Sequence, residues 1–308
     1  MNVIDRNFYA LAEEISRYGE RELYYRIRIA YDLLPEGTRK SLADFFNKFG
    51  YWGKLDPANR IYEEIELKAQ ALYEHIADFT WVYERLNDYR SKKTLYAVLS
   101  NWFRYDFTTS AEAKENMFDD YFDLDLVKCS REEVIADLGA YTGDTVRAYM
   151  RNYGEDCYKR IYCYEITKSV FAGLKASLGG YRDIEFRLKG VGDTEGVMYV
   201  NESAGGNSAN TLDICGGATV TVTTLDADIT EPLTLIKADI EGYEQKALAG
   251  AKKHIENDHP KLLLSVYHNN EDLWKIPKMI CSASDDYKFY LRYKSSPLYP
   301  TEITLIAI

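Results

Sequence analysis

Three sets of residues in this chain have types and spacings that can do chemistry. Gly139 and Gly143 bracket Tyr141 and Thr142, with Asp144 just behind, after the apolar run Val134 to Leu138. Glu165 closes a second apolar run, Arg160 to Glu165. Asp239 and Glu241 follow a third, and His268 follows a fourth. A strand ending in a glycine turn gathers backbone N–H groups at a ligand crevice. A carboxylate at the next strand end can accept hydrogen bonds from both hydroxyls of a ribose. A histidine near carboxylates can take a proton from a hydroxyl, a carboxylate orienting its imidazole and stabilising the imidazolium. The same three side chains could instead hold a divalent ion that activates the hydroxyl. A plainer arrangement also satisfies the sequence, with His268 bonded to a loop carbonyl while Asp239 and Glu241 cap the following helix.

The glycine turn restricts its ligand. A dinucleotide fingerprint needs a glycine where Tyr141 stands, so that the backbone can approach a pyrophosphate. Asp144 would add a carboxylate to the first turn of the following helix, which repels phosphate and tolerates a cation. No Gly-Lys-Ser/Thr follows, so a P-loop is excluded. A nucleoside without phosphates that carries positive charge fits better, and S-adenosylmethionine is such a molecule. Gly139, Tyr141, Thr142 and Gly143 are then the candidate cradle, and Glu165 the candidate ribose partner.

The elements that must position these groups are legible as hydrophobic periodicity. Val146, Tyr149, Met150 and Tyr153 repeat at helical spacing, with Thr142 able to cap the start and Gly154 placed to end the helix. Ile184 to Leu188 reads as a third strand, left by the turn Gly190-Val191-Gly192-Asp193. Asp193 there could accept from an adenine amino group or serve only the turn. Gly196 to Val200 and Thr219 to Thr224 read as a hairpin with a mobile tip, the polar stretch Asn201 to Gly217 serving either as a functional lid or as a plain flexible connection. Leu233 to Lys237 is a fourth strand, with a helix expected from Tyr243 to about Asn257. Lys261 to Tyr267 is a fifth. A short helix interrupted by Pro277 and a closing pair, Tyr287 to Tyr293 and Glu302 to Ile308, complete the pattern.

Before about residue 130 the patterning is helical instead. Leu42, Phe45, Phe46 and Phe49 form one apolar stripe, and the seam from Ile61 to Leu86 a second, long one. From Ser91, Leu95, Val98, Leu99 and Trp102 face inward on a third helix. These helices are expected to make a bundle, with a homodimer seam or substrate lid as the alternative use. The expected organisation is a helical domain over 1–129 and an α/β domain over 130–308.

Composition bounds the partners. A net charge of -11 argues against nonspecific affinity for nucleic acid or anionic membrane, and no nucleic-acid partner or membrane insertion is expected. Five cysteines without Cys-x-x-Cys spacing look like reduced thiols. Met1 to Arg6 is polar with no apolar segment behind a basic start, and no segment approaches membrane-spanning length, so a cytoplasmic protein is expected.

Several pieces in order resemble the FkbM-type family of S-adenosylmethionine-dependent methyltransferases over residues ~120 to 308. They are Tyr121-Phe122-Asp123, Ile135 through Thr145, Glu165, Val191-Gly192-Asp193, Thr224-Leu225-Asp226, Ile236 through Glu244 with Leu248 and Gly250-Ala251, and Val266-Tyr267-His268. The resemblance implies a class I methyltransferase fold, Rossmann-like, with a mostly parallel sheet and an antiparallel last strand, preceded here by the helical region. It also implies O-methylation of a hydroxyl on a saccharide or natural-product acceptor. In that family Asp137, Gly139 and Gly143 would hold the methionine part, Glu165 the ribose and Asp193 the adenine side. Ala238 departs from the more usual bulkier aliphatic residue. A catalytically silent partner protein in glycan synthesis is the competing reading, and a nicotinamide-dependent oxidoreductase is disfavoured by Tyr141.

Overall fold

The computed structural model describes residues 1–119, 121–201, 211–213 and 217–308. Five apolar runs form adjacent parallel strands: β1 Val134–Leu138, β2 Arg160–Tyr164, β3 Ile184–Arg187, β4 Leu235–Ala238 and β5 Lys261–Ser265. Every residue of β1 and β4 is buried, as expected for strands covered on both faces. With β6 Phe289–Tyr293 and β7 Ile303–Ala307 they make a seven-stranded sheet in the order β6-β7-β5-β4-β1-β2-β3. The amide of Lys294 donates to the Glu302 carbonyl and that of Val266 to the Ile303 carbonyl. Both bonds join the end of one strand to the start of β7, so the last strand runs antiparallel. The mostly parallel α/β sheet expected from the sequence is therefore observed.

The chain leaves β1 for β2 and β3 on one side, then returns to place β4 and β5 on the other. The strand order reverses between β1 and β4, and an open α/β sheet has its crevice at the carboxyl ends of such a pair.

A second sheet contains Gly190–Val191, Ala218–Thr223, Gly196–Asn201 and Thr211–Asp213, in that order. The expected hairpin is present, pairing Val197 with Thr221 and Tyr199 with Thr219. Gly190-Val191, expected as a turn, is a short strand parallel to Val222-Thr223. Most of the stretch Asn201 to Gly217, read as a lid, lies outside the described residues.

Two helix expectations are corrected. The helix expected from Tyr243 to Asn257 is two, Glu244–Ala249 and Lys252–Asp258, broken at Gly250. A Cβ on Gly250 would lie 1.9 Å from the Gly192 carbonyl oxygen, so close backbone approach fixes a glycine there. Pro277 does not end its helix, which runs Asp272–Ala283 with the proline inside.

The chain divides into two compact units. One comprises 1–116, 266–277 and 288–304, the other 117–265, 278–287 and 305–308. In the first, the helix Glu63–Arg85 buries Ile65, Ala69, Leu72, Phe79 and Val82 along one stripe. The next, Tyr89–Arg104, starts where the Asp88 side chain accepts from the Ser91 amide at 2.7 Å. It buries Leu95, Val98, Leu99 and Trp102. The second unit holds β1 to β5 and the smaller sheet.

Candidate functional site

Within the second unit, the carboxyl ends of β1, β2 and β4 surround a cavity of about 540 Å³, counted to its solvent opening. That size suits one small organic ligand. Gly139, Tyr141, Glu165, Asp239 and Glu241 line it, together with the apolar or aromatic side chains of Ile166, Val170, Val191, Ile240 and Tyr243.

The turn after β1 is held tightly. The amides of Gly139 and Ala140 donate to the Tyr164 carbonyl at 3.1 and 2.9 Å, fastening it to the end of β2. Gly139 has φ +75°, and a Cβ on it would lie 2.0 Å from the Asp239 carbonyl oxygen. Gly143, φ +82°, is the N-cap of the helix Asp144–Tyr153 and lies against Leu178. Thr142 therefore does not cap that helix; its carbonyl accepts from Arg147 at 2.9 Å. Gly154 ends the helix, its amide donating to Met150.

Two non-glycine residues facing this cavity adopt left-handed backbone, Tyr141 at φ 44° and Glu241 at φ 57°. Such conformations cost about 1–3 kcal/mol each and persist where surrounding structure enforces them, often at functional sites. The turn at Glu241 is braced by Glu244, which is fully buried and accepts from the Ile240 amide at 2.8 Å.

Charge is organised in three places. Asp137 and Lys237, both buried, pair at 3.1 Å beneath the turn, and the Lys237 ammonium also donates to the Gly139 carbonyl at 2.9 Å. Burial pulls the ammonium pKa down, but the carboxylates of Asp137 and Asp239 outweigh it and raise the value. Glu165 accepts through Oε1 from the amides of Ile166 and Thr167, both at 2.8 Å. Burial raises its pKa against the pull of those amides and of Tyr141. On the wall, Asp228 accepts from Tyr164 at 2.7 Å and pairs with Lys189 at 2.5 Å, fixing two lining residues.

The remaining candidates divide between the lining and positions off it. Asp137 sits below the turn rather than on the lining, and Asp193 is exposed beside the lining residue Val191. Asp239 lines the cavity and accepts from the Tyr121 hydroxyl at 2.6 Å. His268 belongs to the first unit, three residues beyond β5, buried with its ring near those of Tyr51 and Tyr267. Sequence reasoning assigned no role to Lys237, Tyr164, Lys189 or Tyr243. The signal for Lys237 was a lysine inside an otherwise apolar buried strand, a placement that demands a partner.

These residues fit a nucleoside. Glu165 offers a carboxylate for vicinal hydroxyls, Ile166, Val170, Val191 and Tyr243 offer walls for a flat ring, and the Gly139 turn admits close backbone approach. A family model described as the methyltransferase FkbM domain matches residues 137–293, just over half of the chain. The chain belongs to the FkbM methyltransferase family. The matched span runs from Asp137 in β1 to Tyr293 in β6 and includes every residue lining the cavity.

Among solved structures, this FkbM-family chain is similar to methyltransferase FkbM from Methylobacillus flagellatus KT. The TM-score is 0.67 at 22% identity, covering 89% of this chain and 72% of that one, a likeness of fold. More distant likenesses are an rRNA methylase from Streptococcus thermophilus (TM-score 0.39, 12% identity, 58% and 87% covered) and fibrillarin from Aeropyrum pernix (0.38, 15%, 59% and 70%). No curated protein matches the chain. Among the described residues no helix is long and apolar enough to cross a membrane.

Proposed function

We propose that this FkbM-family protein transfers a methyl group from S-adenosylmethionine to a hydroxyl oxygen of a saccharide or natural-product acceptor. The observation that carries the reading is the cavity at the β1/β4 reversal, where a glycine turn, Glu165 and apolar side chains share one lining. When bound, S-adenosylmethionine supplies an electrophilic methyl on a positive sulfur, which departs with the bonding electron pair as the acceptor oxygen attacks.

The chain's own residues then have separable tasks. Glu165 holds the ribose hydroxyls, and Val191, Val170 and Ile166 exclude water from the adenine. Gly139 and Tyr141 bound the methionine end. Asp239 and Glu241 bring negative charge to the side of the cavity where the sulfonium and ammonium would lie. A hydroxyl is a poor nucleophile until its proton is removed, and His268 is the proposed base. That assignment rests on chain order: β4 and β5 are parallel neighbours, with Asp239 leaving the end of one and His268 following the end of the other.

The test is incubation with methyl-labelled S-adenosylmethionine and a panel of hydroxylated acceptors, beside calorimetry of the donor alone. Donor binding plus label in a base-stable methyl ether is expected. Donor binding with no transfer to any acceptor would favour a catalytically silent partner protein, and tighter binding of NAD would sink the reading altogether.

A further inference from the structure

The helix Glu20–Asp32 of the first unit buries Leu23, Ile27 and Tyr31 along one side, where it packs on the helices Glu63–Arg85 and Tyr89–Arg104. A surface helix is ordinarily polar on its opposite side. This one is not. Tyr25, Ile29 and the C-cap residue Leu33 stand there four residues apart, 47, 59 and 80% exposed. Single exposed apolar side chains are ordinary, but three in file along one helix make a contiguous patch of the kind that marks an association surface. The apolar seam from Ile61 to Leu86 offers no such surface, being mostly buried within the unit.

Two charges border the stripe on one flank. Arg21 and Asp32 are separated by about three turns, so they project from the same side of the helix. Both stand against the helix dipole, a cation in the first turn and a carboxylate in the last, where each is unfavourable within a single copy. Asp32 accepts from Arg28 Nε at 3.1 and 3.0 Å, and a carboxylate so engaged still has lone pairs to offer on both oxygens. The other flank is closed by internal pairing. Arg26 pairs with Glu22 at 2.9 Å, and its guanidinium lies 3.8 Å from the Tyr18 ring centre.

A second copy of the same helix, laid antiparallel about a two-fold axis, answers both features. Such an axis sets each flank beside the same flank of the partner, and a contact of this kind demands a self-complementary surface. Tyr25 packs on the partner's Ile29 and Ile29 on the partner's Tyr25, while Arg21 meets the partner's Asp32 at each end. One register serves both contacts, because Arg21 lies four residues before Tyr25 and Asp32 three residues after Ile29. A parallel arrangement would set arginine beside arginine and aspartate beside aspartate.

We propose that the helix Glu20–Asp32 is a self-association face, pairing antiparallel with the same helix of a second copy through Tyr25, Ile29 and Leu33 and closed by reciprocal Arg21–Asp32 ion pairs. The helix has 13 residues and is about 20 Å long. A contact of that length falls short of the ~800 Å² per partner of a standard stable interface, so the association is weak and concentration-dependent.

Sedimentation of the full-length protein from micromolar to millimolar concentration tests this. A reversible monomer–dimer equilibrium is expected. Ile29→Glu, at an exposed position, should weaken it about tenfold or more while leaving the unfolding midpoint in place. Arg21→Glu and Asp32→Arg each install the charge the dipole prefers, so each should fold, and each alone should lose self-association because like charges then meet at both ends. An equimolar mixture of the two should regain a dimer containing one chain of each. A parent that stays monomeric throughout, a dimer indifferent to Ile29→Glu, or a mixture that remains monomeric would each overturn the proposal.

Discussion

The carbonyl oxygen of Asp239 occupies the space a side chain on Gly139 would need, 2.0 Å from where its Cβ would stand. Gly139 also has φ +75°, so a side chain there is strained twice. Gly139→Ala should cost about 1–3 kcal/mol of stability from the backbone alone and push the β1 and β4 ends apart. Urea denaturation with donor calorimetry checks this; unchanged affinity would separate the turn from the cavity.

Glu165 gives a pH signature. Burial raises its pKa, so on acidification the carboxylate is lost above the ordinary glutamate value of about 4.3. Donor affinity should fall as pH drops through that raised value and be restored above it. Glu165→Gln should bind more weakly by about 1.5–3 kcal/mol near neutrality and lose this pH dependence. A variant that retains the same profile would assign the titration to another group.

Tyr121 lies outside the family-matched span yet holds Asp239 through a 2.6 Å hydrogen bond. Tyr121→Phe removes only that hydroxyl. Stability should drop by about 0.5–1.5 kcal/mol, the worth of one hydrogen bond. Because Asp239 loses a restraint rather than its charge, turnover should fall more than donor affinity does. Equal losses in both would make Tyr121 a contributor to donor binding.

Lys237→Met should destabilise the protein by about 3–5 kcal/mol, because Asp137 is left buried without its counter-charge. Adding Asp137→Leu should recover much of that loss. In the parent protein the raised Lys237 pKa makes this stabilisation complete below the ordinary lysine value of about 10.4. It is lost as pH rises through the raised value. Denaturation midpoints from pH 8 upward in parent and double variant test the sign.

His268→Ala is expected to lower turnover by about 10²- to 10⁴-fold, the usual worth of a general base, with donor affinity nearly unchanged. Near-normal turnover would remove His268 from the chemistry. Loss of parent activity on chelation would transfer its role to a bound cation.

Strands were legible where burial on both faces enforces unbroken apolar runs. Val134 to Leu138 matches the structure at both ends, and the other parallel strands agree within two residues at either end. What escaped the sequence depends on contacts distant in the chain. Gly250 looks like a tolerated helix glycine until the Gly192 carbonyl is found against it. Thr142 looks like a cap, but Gly143 takes the N-cap position because its φ of +82° comes without a Cβ penalty. In the cavity, Glu165 and Gly139 were legible because strand ends are predictable. Lys189 and Tyr164 were not, since their placement depends on Asp228, a partner 39 and 64 residues away.

Asp137 and Lys237 are direct register partners in the β1/β4 pairing, their side chains on one face. Side chains alternate faces along a strand, so a slip of one residue would send the two charges to opposite sides of the sheet. Each would then be buried alone. The neighbouring apolar residues are nearly interchangeable and would tolerate such a slip with little penalty. The pair thus acts as a key that admits one alignment of the two strands. It sets the carbonyl of residue 239 opposite the glycine at 139 before any ligand arrives.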